Sequence, residues 1–198
     1  MKKIKMLSII SLLIVLVIAL NGCSLLKNDI SQFKSAMKGR DAIIQTYDEE
    51  SNIIDQLEGT SIHVTSETKF NTEKTNSSVI NISIGSHEMV HTGSSLIMYE
   101  KGLTNEFETF AKTVDVKNFD RAVPFLNKMV NSWSNDTTGK SKIVLIRSQS
   151  GKPLATFAGD KVSFFATDID KTTGLLIDGQ YLFIYKCDYT IYDTLLLK

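Results

Sequence analysis

Cysteine is almost missing from these 198 residues, occurring only at Cys23 and Cys187. That excludes the disulfide framework on which many small extracellular domains lean, so stability must come from a packed core. An excess charge of either sign is missing too, with 22 basic residues against 22 acidic ones. Nucleic-acid binding, which needs a basic patch, gains no support. Nor is there an apolar run of spanning length: Met6 to Leu20 holds about 15 residues, against the roughly 20 that a transmembrane helix needs. No Gly-x-Ser-x-Gly stands near a suitable histidine, and Ser150-Gly151-Lys152-Pro153 lacks the spaced glycines and following helix of a phosphate loop.

What is present begins at the N-terminus. Lys2, Lys3 and Lys5 form a cationic head before the apolar run, the arrangement of a secretory signal whose charges stay on the cytoplasmic side. Leu20-Asn21-Gly22-Cys23 then resembles the lipobox of bacterial lipoproteins. The resemblance implies a signal peptide over residues 1–22, a diacylglyceryl group on the Cys23 sulfur and cleavage that makes Cys23 the mature N-terminus. Two acyl chains give durable attachment where one is marginal. The signal removes three lysines, leaving residues 23–198 with three more acids than bases. With Cys23 acylated, Cys187 stands alone in a run of strand formers, Tyr181 to Ile191, and reads as a small buried apolar side chain rather than a reactive thiol.

Residues 23–41 read as a lipid-anchored tether. Ile30, Phe33 and Met37 fall at helical spacing, with Lys27, Lys34, Lys38 and Arg40 against Asp29, so a basic amphipathic segment on anionic headgroups is the competing reading. A helix this short is marginal without packing, which favours the tether.

From Ala42 to the C-terminus the pattern predicts one β-rich globular domain of α+β class, predominantly antiparallel, with β-meanders and hairpins and one amphipathic helix packed on the sheet. Strands are expected at 42–47, 53–57, 61–69, 79–84 and 95–100, making the first half a meander. The stretch 103–118 carries no clear pattern. Phe119, Val123, Leu126, Val130 and Trp133 share one helical face, and Pro124 marks where the regular helix near 119–134 begins. Strands resume at 142–148, 154–158 and 162–166. Asp178-Gly179 between Leu175-Leu176-Ile177 and Tyr181 predicts a hairpin with a type I′ turn. At an offset of 100, Ile43, Ile44, Ile54, Leu57, Gly59, Ile62 and Val64 align with Ile143, Val144, Leu154, Phe157, Gly159, Val162 and Phe164. Either a duplication or generic meander alternation produces such a match; similar hairpins recur in tubby-like domains.

His87-Glu88-Met89-Val90-His91 has the HExxH spacing of zinc proteases, which works only when a helix brings both imidazoles to one ion. Gly85-Ser86 and Gly93-Ser94-Ser95 leave too little room for that helix, so the stretch reads as a hairpin strand without a metal. His63 reads as a surface side chain. Asp48-Glu49-Glu50 and Asp168-Ile169-Asp170 have the acidity of a calcium loop without its ligand density, and read as solvated turns. No cofactor is implied and no catalytic residue stands out.

The chain resembles a family of small Gram-positive lipoproteins known as a domain of unknown function. The resembling stretches are Leu20-Asn-Gly-Cys23, Tyr99-Glu-Lys-Gly-Leu103, Val144-Leu-Ile-Arg-Ser-Gln-Ser-Gly-Lys-Pro153, Gly159-Asp-Lys-Val162 and Lys171-Thr-Thr-Gly-Leu-Leu-Ile-Asp-Gly179. It implies a location and a fold but no active site. The expectation is a non-enzymatic module held by Cys23 on the extracellular face of the cell membrane, where it binds an envelope protein, polymer or lipid and no nucleic acid. The alternatives are a tubby-like lipid-contacting domain or a metallohydrolase using His87, Glu88 and His91.

Overall fold

A computed structural model describes residues 39–72, 77–111, 140–167 and 169–197. Twelve strands fall in these residues, all paired antiparallel. They are β1 (Asp41–Tyr47), β2 (Ile53–Thr60), β3 (Ile62–Ser66), β4 (Ile80–Ile84), β5 (His87–His91), β6 (Ser95–Glu100), β7 (Lys142–Arg147), β8 (Pro153–Gly159), β9 (Val162–Ala166), β10 (Thr172–Ile177), β11 (Gln180–Tyr185) and β12 (Asp188–Asp193). The one helix among the described residues, α1, runs Glu106–Ala111, in the stretch where the sequence carries no pattern. The expected helix near 119–134, the signal peptide and nearly all of the tether lie outside the described residues. β1 begins at Asp41, one residue before the expected domain boundary.

The strands form a six-stranded sheet in the order β2-β1-β6-β11-β10-β9 and two three-stranded sheets, β12-β7-β8 and β3-β4-β5. The first half is therefore not a single meander, as the local pattern suggested. β1 takes β6 as its second neighbour, and consecutive strands β2 and β3 belong to different sheets. Ser61, at φ 58°, is the kink that moves the chain from one sheet to the other. The third strand also stops at Ser66 rather than Lys69. Glu67 there accepts from the Lys69 N–H and caps a 3-10 turn over Thr68–Phe70.

Pairing in the second half repeats the first. Ala42 faces Gly59 and Lys142 faces Gly159; the bulge after Thr46 recurs after Ile146. Ile62 faces Ile84 as Val162 faces Ile177, Ile84 faces His87 as Ile177 faces Gln180, and Ala42 faces Glu100 as Lys142 faces Asp193. The β1–β2 and β7–β8 turns match as well: Asp48 N donates to Asn52 O and Ser148 N to Lys152 O, with Ser51 and Gly151 both at positive φ. The shared alternation is thus a repeat of topology and register. The hairpin at Asp178-Gly179 has positive φ at both central residues, the type I′ geometry that matches strand twist.

The six-stranded sheet is central and carries a core on each face. One core joins Ala42, Ile44, Ile62, Val64, Ile80, Ile82, Leu96 and Met98 with Phe183 and Tyr185 of the second half. The other joins Val144, Ile146, Leu154, Phe157, Leu175, Leu182 and Ile184 with Tyr47, Ile97 and Tyr99 of the first. Each half lends aromatic or aliphatic side chains to the other's core. All six residues of β6 are buried, and the run Leu96-Ile97-Met98-Tyr99 is continuously apolar because both of its faces are covered.

Candidate functional site

His87, Glu88 and His91 stand on β5, a strand. Four residues along a strand span about 13 Å, so the two imidazoles cannot reach one ion. His91 Nε2 lies 2.9 Å from Ser94 O, and its ring meets Tyr185 edge-on at 5.6 Å. His87 pairs with Ile84 and Glu88 with Ser83 across the ladder. The backbone thus removes the metallohydrolase geometry. His63 is exposed on β3, as expected of a surface side chain.

The acidic turn Asp48-Glu49-Glu50 is built by its own side chain. Asp48 Oδ1 accepts from Glu50 N at 2.9 Å and Asn52 N at 2.8 Å, and Oδ2 accepts from Asn52 Nδ2 at 2.8 Å. The Asn52 amide, with these backbone donors, holds the Asp48 carboxyl below its usual range. Asp48 is a turn-former with its oxygens occupied. Of the second acidic pair, Asp170 is exposed and Asp168 lies outside the described residues. Cys187 is partly buried, donating to Tyr185 O at 3.2 Å, and burial pushes its thiol pKa up to about 12. Such a thiol stays protonated and unreactive. Cys23 lies outside the described residues.

A buried polar network, which no sequence motif signals, lies where β1, β2, β8 and α1 meet. Gln45 Nε2 donates to Gln56 Oε1 at 2.9 Å and to Glu108 Oε1 at 2.8 Å, while Gln45 Oε1 accepts from Tyr47 OH at 2.6 Å. Asn105 Oδ1 accepts from Thr156 N at 3.1 Å and its Nδ2 donates to Glu108 Oε1 at 3.1 Å. Burial, reinforced by Glu108, raises the Tyr47 hydroxyl pKa and keeps it a neutral donor. The network fastens α1 to β1 and β8 through side-chain and backbone hydrogen bonds, while the buried Thr156 hydroxyl beside it has no partner among the described residues.

The surface that stands apart is β2. It is the end strand of the central sheet, and seven of its eight residues are exposed. Ile54 is 56% exposed and Leu57 41%, whereas their repeat counterparts Leu154 and Phe157 are 1% and 0%. β8 is buried because it joins the second core and because α1 packs on it. The two hairpins also differ in sign. From Asp41 to Thr60 there are six acids (Asp41, Asp48, Glu49, Glu50, Asp55, Glu58) and no base, while Lys142 to Gly159 holds Lys142, Arg147 and Lys152 and no acid. The turns of these hairpins touch: Lys152 Nζ pairs with Glu50, Ser150 N donates to Glu49 Oε2 at 3.1 Å, and Ser150 Oγ donates to Glu49 O at 2.9 Å.

No curated protein and no solved structure matches the chain. The family described as Domain of unknown function (DUF5052) matches residues 3–197, nearly the whole length, and the chain belongs to that family.

Proposed function

We propose that the protein is a lipoprotein, acylated at Cys23, that presents a non-enzymatic β-rich binding module at the extracellular face of the cell membrane. The observation that carries this reading is the N-terminal series of Lys2, Lys3 and Lys5, a 6–20 apolar run and Leu20-Asn21-Gly22-Cys23. β1 starts 18 residues after Cys23, at Asp41. A fully extended connection of that length reaches about 60 Å, so the sheets stay close to the bilayer.

A tubby-like lipid-contacting domain is the second reading, favoured by the repeated pairing of β1–β6 in β7–β12. Mass spectrometry of the native product decides the anchor. The expected N-terminus is a diacylglyceryl-modified Cys23, and Cys23→Ala releases the protein from the membrane fraction. An N-terminus elsewhere with an unmodified Cys23 thiol overturns the placement. Vesicle flotation of the unlipidated chain from Ser24 separates the two readings, because only a lipid-contacting domain floats without its anchor.

A further inference from the structure

We propose that β2 is a docking edge for an extended polypeptide segment of a partner protein that carries basic and apolar residues on both of its faces. The inference rests on the binding-module reading and gives it a partner chemistry.

Among the described residues β2 has one hydrogen-bonded neighbour, β1, and its other edge ends the central sheet. An edge strand presents a row of unpaired N–H and C=O groups that an added strand satisfies. Edges that are not meant to pair are commonly kept short or covered. β2 is eight residues long, and exposure along it shows that it is uncovered. Its apolar residues Ile53, Ile54 and Leu57 are all exposed. The repeat provides the internal comparison: at the same position in the second half, β8 is buried beneath α1.

Charge selects the occupant. Six acids and no base lie on the β1–β2 hairpin, and Asp55 and Glu58 sit on β2 itself. Asp55 accepts from Thr46 Oγ1 at 2.9 Å, and Glu58 pairs with Lys101 at 2.6 Å while remaining half exposed. An antiparallel second copy of β2 would set acids near acids, which is unfavourable across a strand pair. Along β2, Asp55 and Leu57 lie on one face and Ile54 and Glu58 on the other, so a partner strand with basic and apolar side chains on each of its faces meets both acids and both apolar residues. The molecule already makes one contact of this kind, where the basic β7–β8 turn meets Glu49 and Glu50.

The test uses the full chain in a non-ionic detergent, with two synthetic probes of about ten residues, one repeating Lys-Lys-Val-Val and one repeating Glu-Glu-Val-Val, so that both faces of each carry charged and apolar side chains. Amide hydrogen exchange is followed across residues 53–60, with the β5 edge at 87–91 and the β9 edge at 162–166 as comparators. At ten times its dissociation constant a probe slows exchange beneath it by about tenfold. The lysine probe is expected to do so at 53–60, the glutamate probe to do nothing, and a chain carrying Ile54→Lys and Glu58→Lys to lose the effect. Glu58→Lys alone, a substitution at an exposed ion pair, keeps the charge test if the double variant fails to fold. Equal protection by both probes, protection at β5 or β9 instead, protection at 53–60 that grows with protein concentration alone, or no protection each overturns the inference. Protection at another edge leaves the binding-module reading standing, and acylation of Cys23 is read independently by mass.

Discussion

At the scale of single residues, the sharpest constraint is on two glycines. A β-carbon at Gly59 would fall on Ile84 Cγ2, and one at Gly159 on Ile177 Cγ2, the same contact in both halves. Ile177 is fully buried and cannot retreat, whereas Ile84 is partly exposed. Gly159→Ala is therefore expected to cost about 1–3 kcal/mol in urea unfolding and Gly59→Ala less. Equal costs would show that burial of the isoleucine does not set the penalty. Asp178 makes a second residue-scale prediction. Its hydrogen bond with Lys140, together with the Lys161 and Asp160 N–H groups, holds its carboxyl below the usual range. A depressed folded value means that the stabilisation is fully present above about pH 4, the unfolded value, and is lost as pH falls through the folded one. Asp178→Asn tolerates the same positive φ and should lower the neutral plateau of the Tm profile while leaving its acid end nearly unchanged, so that the acid limb flattens. For Cys187, partial burial and the raised pKa predict that a thiol reagent at pH 8 modifies it far more slowly in the folded protein than in the urea-unfolded chain. Rapid modification of the native protein would contradict the packing described for it.

At the scale of elements, β2 and β8 provide a controlled comparison, because they share register and differ in cover. Leu154→Ala should cost about 2–5 kcal/mol, the range for a buried aliphatic truncation. Ile54→Ala, at the matching exposed position, should stay within about 0.5 kcal/mol. Denaturant midpoints of the two variants measure the contrast directly. Hairpins were legible in the sequence for local reasons: Ile80 to Ile84 alternates apolar with polar residues, and Asp178-Gly179 is the residue pair a type I′ turn demands. What joins hairpins was not legible. The pairing of β1 with β6 and of β6 with β11 is set by residues 48 to 89 positions apart, through cores that no short window contains. α1 escaped because six residues are less than two turns, too few for a helical period to declare itself. The HExxH spacing shows the opposite limit. A motif records separation along the chain, and on a strand that separation points to a different chemistry. Of the candidate surface, the exposed apolar positions of β2 looked like core, since Ile54 and Leu57 align with residues that are core in the repeat.

At the scale of the whole molecule, the halves are not independent. Phe183 and Tyr185 complete the first core, and Ile97 and Tyr99 the second. β6 and β11 pair over four residues to make one sheet from both halves. Removing either half would expose a buried face of the other. Thermal unfolding is therefore expected as one transition, with coincident midpoints by far-ultraviolet dichroism and tyrosine fluorescence. Two separated transitions would show that the shared cores contribute little to cooperativity.

The opposite signs of the two turns also give the halves a salt-sensitive clasp. Lys152 meets Glu50, and Ser150 meets Glu49, where the charged side chains stand in water. Added salt screens such a pair and leaves the buried cores untouched, so raising the ionic strength should loosen this one corner of the molecule without moving its main transition.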